Sequence, residues 1–128
     1  TDSALANDLV LTGFFPDEDL KYLYQFADLF LFPSFYEGFG LPILEAFSCG
    51  TPVITSDRGA MPEVAGDAAV LVNPNDHQQI ADNIRRVIAD PKLQQDLARA
   101  GLERAAGFSW ERAAQETRES LVKAANAR

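Results

Sequence analysis

Residues 29–34, LFLFPS, form an unbroken apolar run that ends in a proline and a serine and leads to a glycine-rich corner. Such a run predicts a strand buried on both faces, because a strand with one wet face alternates apolar and polar residues. Similar short runs predict strands in VLTGFF from Val10, in TPVITSD and in AAVLVNP. Because helical patterns separate these strands, we expect an α/β fold with a parallel sheet of about four strands and flanking helices, a partial Rossmann-like arrangement.

The helical patterns have recognisable ends. LPILEAFSCG predicts a helix with Pro42 in its first turn and Gly50 just past its end. After the last strand the pattern is helical to the carboxyl terminus, with Ser109 as the expected N-cap of the final helix.

Size and charge narrow the classes of protein and of partner. The chain has 128 residues, which suits a single domain over 1–128. Its formal charge of −8 argues against a nucleic-acid partner and against adhesion to an anionic membrane. A single cysteine excludes an internal disulfide and fits a reducing compartment, and the opening TDSALANDLV lacks the order of a signal peptide. We therefore expect a cytoplasmic location.

The corner after the first apolar run has the properties of an anion site. Pro42 suits the first helical position, which predicts Leu41 as the N-cap, and leucine has no side-chain oxygen for the first-turn N–H groups. Gly38 and Gly40 let another molecule approach the backbone closely. A helix start with free donors and open access can bind a phosphate or a sugar hydroxyl.

Two glutamates flank this corner. Glu45 lies about one turn into the predicted helix, where its carboxylate can accept hydrogen bonds from the vicinal hydroxyls of a ribose. Glu37 lies in the loop before the glycines, where it can bind sugar hydroxyls or stabilise a developing positive charge. The alternative is that neither binds a ligand, Glu45 being an ordinary first-turn acid and Glu37 a solvated loop residue.

The whole segment resembles the donor-site motif of retaining glycosyltransferases with the GT-B fold, in the large family 4 or "group 1" class. That motif is a glutamate, seven residues and a second glutamate, here Glu37, GFGLPIL and Glu45. Further stretches that resemble the family are ADLFLFPS, EAFSCGTPVITSD, GAMPEVAGDAAVLVNPND and FSWERAA. The chain is thus similar to the carboxy-terminal, donor-binding half of such an enzyme.

The resemblance implies roles for individual residues. Glu45 would hold the ribose of a UDP- or GDP-linked sugar, and Glu37 would contact the transferred sugar as the candidate catalytic residue. The remaining donor-binding candidates are Gly38, Phe39, Gly40 and Leu41 at the sugar and diphosphate, and Gly13 and Phe14 near the base. The resemblance further implies retention of configuration, no cofactor, no obligatory metal and no agreed protein nucleophile.

The same resemblance implies that part of the site lies outside these residues. The family has two earlier strands with a glycine-rich turn and an Arg–Lys pair for the diphosphate, and an amino-terminal acceptor domain through which any membrane contact would run. Near the corner only Arg58 and Lys21 are candidate cations. We therefore expect weak donor binding and no turnover by this piece. Its exposed strand edges should cause self-association, unless the strand near Val10 moves to pair with 29–33.

Two other functions remain open at this point. A stand-alone module could use the same corner to bind a phosphate or nucleotide without catalysis. A non-hydrolysing sugar-nucleotide epimerase would share the architecture, but it needs acid–base residues that a chain with one histidine does not offer.

Overall fold

The computed structural model describes residues 7–127, in which strands and helices alternate along the chain. The strands are β1 (Phe30–Phe32), β2 (Val53–Ser56) and β3 (Val70–Val72). The helices are α1 (Asp17–Phe26), α2 (Leu41–Ser48), α3 (Met61–Ala65), α4 (His77–Ala89), α5 (Pro91–Ala105) and α6 (Trp110–Asn126), with a 3₁₀ helix at Gly66–Ala68. The strands pair in parallel in the order β1-β2-β3, which confirms the predicted α/β class.

The central strand β2 is buried along its whole length and separates two apolar clusters. Val53 packs into the cluster with Ile43 and Phe47 of α2, while its neighbour Ile54 packs with Val87 of α4 on the other face. Successive strand residues point to opposite faces, so an unbroken apolar run is what a sheet covered on both sides requires.

The predicted strand near Val10 is wrong. Residues 9–13 have no regular secondary structure, and Val10 is 84% exposed. The described residues supply no strand beside this segment, and an isolated apolar run gains nothing from an extended conformation without a partner. The expected pairing of this segment with β1 is also wrong, because among residues 7–127 the strand β1 pairs only with β2. The sheet therefore has three strands instead of about four.

Helices α2 and α5 approach each other closely at Gly101. A Cβ placed on Gly101 would lie 2.7 Å from Cδ1 of Phe47, a fully buried side chain. The missing side chain thus allows the phenyl ring to lie against the backbone of α5. This contact lets α2 and α5 pack closely together, and α2 carries the glycine-rich corner at its start.

The last helix, α6, begins as predicted and buries none of its residues. The Ser109 hydroxyl accepts a hydrogen bond from the N–H of Arg112 at 3.1 Å, which confirms Ser109 as the N-cap. Trp110 is 74% and Leu121 is 66% exposed. Within residues 7–127, none of the helices combines the length and the apolar character that crossing a bilayer needs.

Candidate functional site

The glycine-rich corner joins the end of β1 to the start of α2. Gly40 is the N-cap, with φ 100° and ψ 44°, so that Leu41 is the first helical residue and Pro42 the second. The prediction of Leu41 as the N-cap is therefore wrong by one residue, whereas Pro42 does lie in the first turn. The left-handed conformation explains the difference, because glycine adopts it without strain and turns the chain one residue earlier.

The backbone donors of this corner have no acceptor in the described part of the chain. No atom there accepts a hydrogen bond from the N–H groups of Phe39, Gly40 or Leu41, while the Gly40 carbonyl accepts one from Ile43 at 3.0 Å. Gly40 as a whole is buried, but Phe39 and Leu41 are 44% and 45% exposed. We therefore expect the amides of these two residues to be the ones that a solute can reach.

A cavity of about 500 Å³ lies between α1, α2 and the start of α6. Its lining includes Tyr24, Phe39, Leu41, Glu45, Phe108 and Trp110. Three predicted donor-binding residues, Phe39, Leu41 and Glu45, are thus brought together around one space. Glu45 is exposed to it, and its Oε2 accepts a hydrogen bond from the Tyr24 hydroxyl at 3.1 Å.

Glu37 lies in the same loop but is held separately. Its Oε1 accepts a hydrogen bond from the Ser34 hydroxyl at 3.0 Å, and the side chain is partly buried. Its backbone lies against Gly59, where an added Cβ would be 3.5 Å from the Glu37 carbonyl oxygen. Neither Glu37 nor Gly38 lines the cavity that contains Glu45.

Gly13 and Phe14 lie in the segment before α1 and, like Glu37, Gly38 and Gly40, do not line the cavity. Phe14 is 99% exposed. Gly13 has φ 61°, a turn conformation that suits glycine, and an added Cβ there would meet nothing within 4 Å. Their expected position near a base remains a prediction.

The cations near the corner have different surroundings. Lys21 lines the cavity, and its Nζ lies 4.9 Å from the ring centroid of Tyr22. Arg58 lies on the surface 3.6 Å from the Asp57 carboxylate and donates a hydrogen bond to Asn73. Of these two cations, Lys21 is the one that lines the cavity, together with the carboxylates of Asp17 and Glu45, whose negative charges offset it.

An aromatic contact connects the corner to Phe108, which in turn contacts Arg104, and sequence analysis missed both contacts. The ring of Phe39 meets that of Phe108 edge-on at 6.1 Å, and the Arg104 guanidinium lies 5.0 Å from the Phe108 ring centroid. Arg104 also donates to the carbonyls of Glu63 and Val64 at the end of α3, at 2.6 and 2.9 Å. The sequence signal that could have pointed to Phe108 is the stretch FSWERAA, which begins at this residue and resembles the family.

Burial and the Glu45 carboxylate affect two neighbouring groups. Burial of the hydroxyl, and then its hydrogen bond to Glu45, raise the pKa of Tyr24 well above its ordinary value. Burial, and then the negative charge of Glu45, also raise the pKa of the Cys49 thiol. Both groups are therefore neutral near pH 7, and Tyr24 is present as a hydrogen-bond donor.

Comparison with known proteins identifies the family. The sequence model described as "Glycosyl transferases group 1" matches residues 2–104. The chain belongs to the glycosyl transferases group 1 family. A relative named O-antigen chain mannosyltransferase B, from Escherichia coli, is 49% identical over 105 residues. That match includes 82% of this chain and 28% of the relative, so the chain spans less than a third of that protein.

Solved structures of group 1 glycosyl transferases and related enzymes share the fold. A sucrose-phosphate synthase from Thermosynechococcus elongatus matches with a TM-score of 0.86 and 33% identity, over 98% of this chain and 32% of that one. The carboxy-terminal domain of a group 1 family glycosyl transferase from Francisella tularensis matches with a TM-score of 0.72 and 34% identity, over 81% of this chain and 55% of that one. The predicted GT-B carboxy-terminal fold is confirmed.

Proposed function

We propose that the protein containing this chain transfers a glycosyl group from a nucleotide-diphospho-sugar to an acceptor with retention of configuration and without an obligatory metal. This chain supplies part of the donor site, and the acceptor is bound by a domain outside it. The observation that carries the proposal is the shared cavity, in which the Glu45 carboxylate lies beside Phe39 and Leu41, whose N–H groups have no acceptor among the described residues. A nucleotide-sugar offers hydroxyls to the Glu45 carboxylate and anionic phosphate oxygens to the two N–H groups.

The charge balance supports a donor site that is shared with other parts of the protein. The start of α2 can stabilise an anion by up to about 2 kcal/mol in good geometry, which is less than a hundredfold in affinity. Lys21 is opposed by two carboxylates in the same cavity. Further cations from outside these residues are therefore required for tight binding of a diphosphate, and we propose that the isolated chain binds donor weakly without turnover.

The names of the relatives support a first candidate for the transferred sugar. The E. coli relative at 49% identity is named a mannosyltransferase. We therefore propose a mannosyl donor such as GDP-mannose as the first candidate, with UDP-linked sugars as the comparison. Glu37 is the candidate catalytic residue in the loop that leads to the sugar.

The test is donor binding and turnover by the full-length protein, with and without Glu45. We expect GDP-mannose to bind and to release GDP during glycosyl transfer, and Glu45→Gln to raise the dissociation constant by roughly tenfold, because a charged hydrogen-bond acceptor is lost. Calorimetry measures the binding. Glu103→Gln is the matched control, because Glu103 is also an exposed helical glutamate but does not line the cavity.

Three outcomes contradict the proposal in different ways. Equal affinity of Glu45→Gln and wild type removes Glu45 from the donor site. Absence of binding for both GDP- and UDP-linked sugars removes the donor-site assignment. Binding without any transfer or donor hydrolysis favours a non-catalytic nucleotide-binding module instead.

A further inference from the structure

Tyr24 is a buried residue whose hydroxyl contacts a residue of the proposed donor site. Its side chain is 8% exposed, and it lies in the second half of α1. A buried hydroxyl requires a hydrogen-bond partner, and the partner here is Oε2 of Glu45 at 3.1 Å. The two residues lie on different helices, so this bond ties α1 to α2 at the edge of the cavity.

Three further contacts fix the position of Tyr24. Its backbone carbonyl accepts hydrogen bonds from the Thr51 hydroxyl at 2.7 Å and from the N–H of Ala27 at 3.1 Å. Its ring meets the ring of Phe30 in β1 edge-on, with centroids 5.1 Å apart. The backbone and the ring of Tyr24 are thus held by the loop before β2 and by β1, and these contacts fix the place from which its hydroxyl contacts Glu45.

Glu45 itself is exposed, and an exposed glutamate samples several rotamers. Binding a ribose through such a side chain has an entropic cost, because the side chain must be immobilised. A hydrogen bond from a rigid donor reduces this cost before the ligand arrives. An ionised carboxylate has about four acceptor positions, so one bond to Tyr24 leaves enough for two ribose hydroxyls.

We propose that Tyr24 is a positioning residue that orients the Glu45 carboxylate for the ribose hydroxyls of the donor nucleotide. This role rests on the proposed function. Tyr24 acts through Glu45 and requires no contact with the sugar that is transferred. The raised pKa of Tyr24 keeps the hydroxyl protonated, and therefore a donor, at every pH near neutrality.

The test removes the hydroxyl and asks whether the loss depends on the ribose. Tyr24→Phe in the full-length protein keeps the ring and its contact with Phe30. We expect the dissociation constant of GDP to rise roughly threefold to tenfold, the range of one hydrogen bond to a charged group that is partly replaced by water. We expect almost no change for 2′,3′-dideoxy-GDP, because it has no ribose hydroxyls to bind. Tyr22→Phe, on the same helix and half-exposed, is the matched control.

Glu45→Asp is the second variant, and it changes the exposed member of the pair while the ring of Tyr24 keeps its contact with Phe30. The shorter side chain of Asp places its carboxylate out of reach of Tyr24, so this variant should weaken GDP binding. Adding Tyr24→Phe to it should cause no further loss of affinity.

Several results would overturn the assignment. Tyr24→Phe could bind GDP with the affinity of the wild type. It could also bind GDP and dideoxy-GDP more weakly by the same factor, which would indicate a general effect on the fold. Additive losses in the double variant would show that Tyr24 does not act through Glu45. If wild type binds neither GDP nor UDP, the proposed function itself is wrong. If the wild type binds GDP and dideoxy-GDP with equal affinity, the pair does not bind the ribose hydroxyls, but the proposed function can still hold.

Discussion

At the scale of single residues, the two glutamates of the corner differ in how they are held. Ser34, three residues before Glu37, donates to it, so this contact is local. Tyr24 reaches Glu45 from a different helix, so this contact depends on how α1 packs against α2. The local contact keeps Glu37 next to the end of β1, while the long-range contact keeps Glu45 in the cavity.

Replacement of Glu37 should affect turnover more than donor binding. We expect Glu37→Ala in the full-length protein to lower kcat roughly tenfold to a hundredfold, because it removes a carboxylate that stabilises charge developing at the sugar. The donor dissociation constant should change less than threefold, since Glu37 lies outside the cavity that contains Glu45. Steady-state kinetics and calorimetry with the same donor separate the two effects. A kcat equal to that of wild type would exclude a catalytic role for Glu37.

At the scale of helices and strands, the position of the corner depends on what α2 packs against. Its buried face, with Ile43 and Phe47, lies on the sheet and against α5. Arg104, near the end of α5, donates to the carbonyls of Glu63 and Val64 that α3 leaves free, and its guanidinium lies over Phe108. Phe108 in turn meets Phe39 of the corner. Helix α5 therefore supports the site although it contributes little to its lining.

The close approach at Gly101 should make the protein sensitive to the smallest added side chain. Gly101→Ala improves helix propensity by up to about 1 kcal/mol, but overpacking typically costs about 1–3 kcal/mol. The second effect should win, because the new Cβ would lie 2.7 Å from a fully buried ring. We expect a decrease of roughly 3–8 °C in Tm, measured by calorimetry.

Gly38→Ala is the control for this measurement, because an added Cβ there would meet nothing within 4 Å. Its Tm should stay within about 2 °C of wild type, as is usual for exposed substitutions. A higher Tm for Gly101→Ala than for wild type would show that α2 and α5 can separate at little cost.

At the scale of the whole molecule, large apolar side chains remain exposed at both ends of the described chain. Val10, Leu11 and Phe14 precede α1, and Trp110 and Leu121 lie on α6, each more than half exposed. The outer edge of β1 has no partner strand among residues 7–127. Surfaces of this kind are covered in stable monomers, so we expect the isolated chain to associate with itself.

Light scattering coupled to gel filtration tests this expectation on residues 1–128. We expect a species larger than a monomer, and we expect Leu31→Lys, in the edge strand β1, to shift it towards monomer, because a charge on an edge strand opposes pairing. Leu71→Lys is the matched control, since Leu71 lies in the edge strand β3 and both leucines are 38% exposed. A monomer at all concentrations, or equal effects of the two variants, would contradict pairing through β1.

Sequence pattern alone was sufficient for the α/β class, for the strands β1, β2 and β3, for the Ser109 cap and for the corner before α2. These features depend on the order of apolar and polar residues within a few turns of chain, and on what glycine and proline allow. Tertiary structure was required for the rest. Val10 follows a strand-like pattern, but a strand forms only where a neighbour pairs with it. Only the packing of α1 on α2 places the Tyr24 hydroxyl at Glu45, because a hydrogen bond between residues far apart in the sequence depends on where the fold puts both of them.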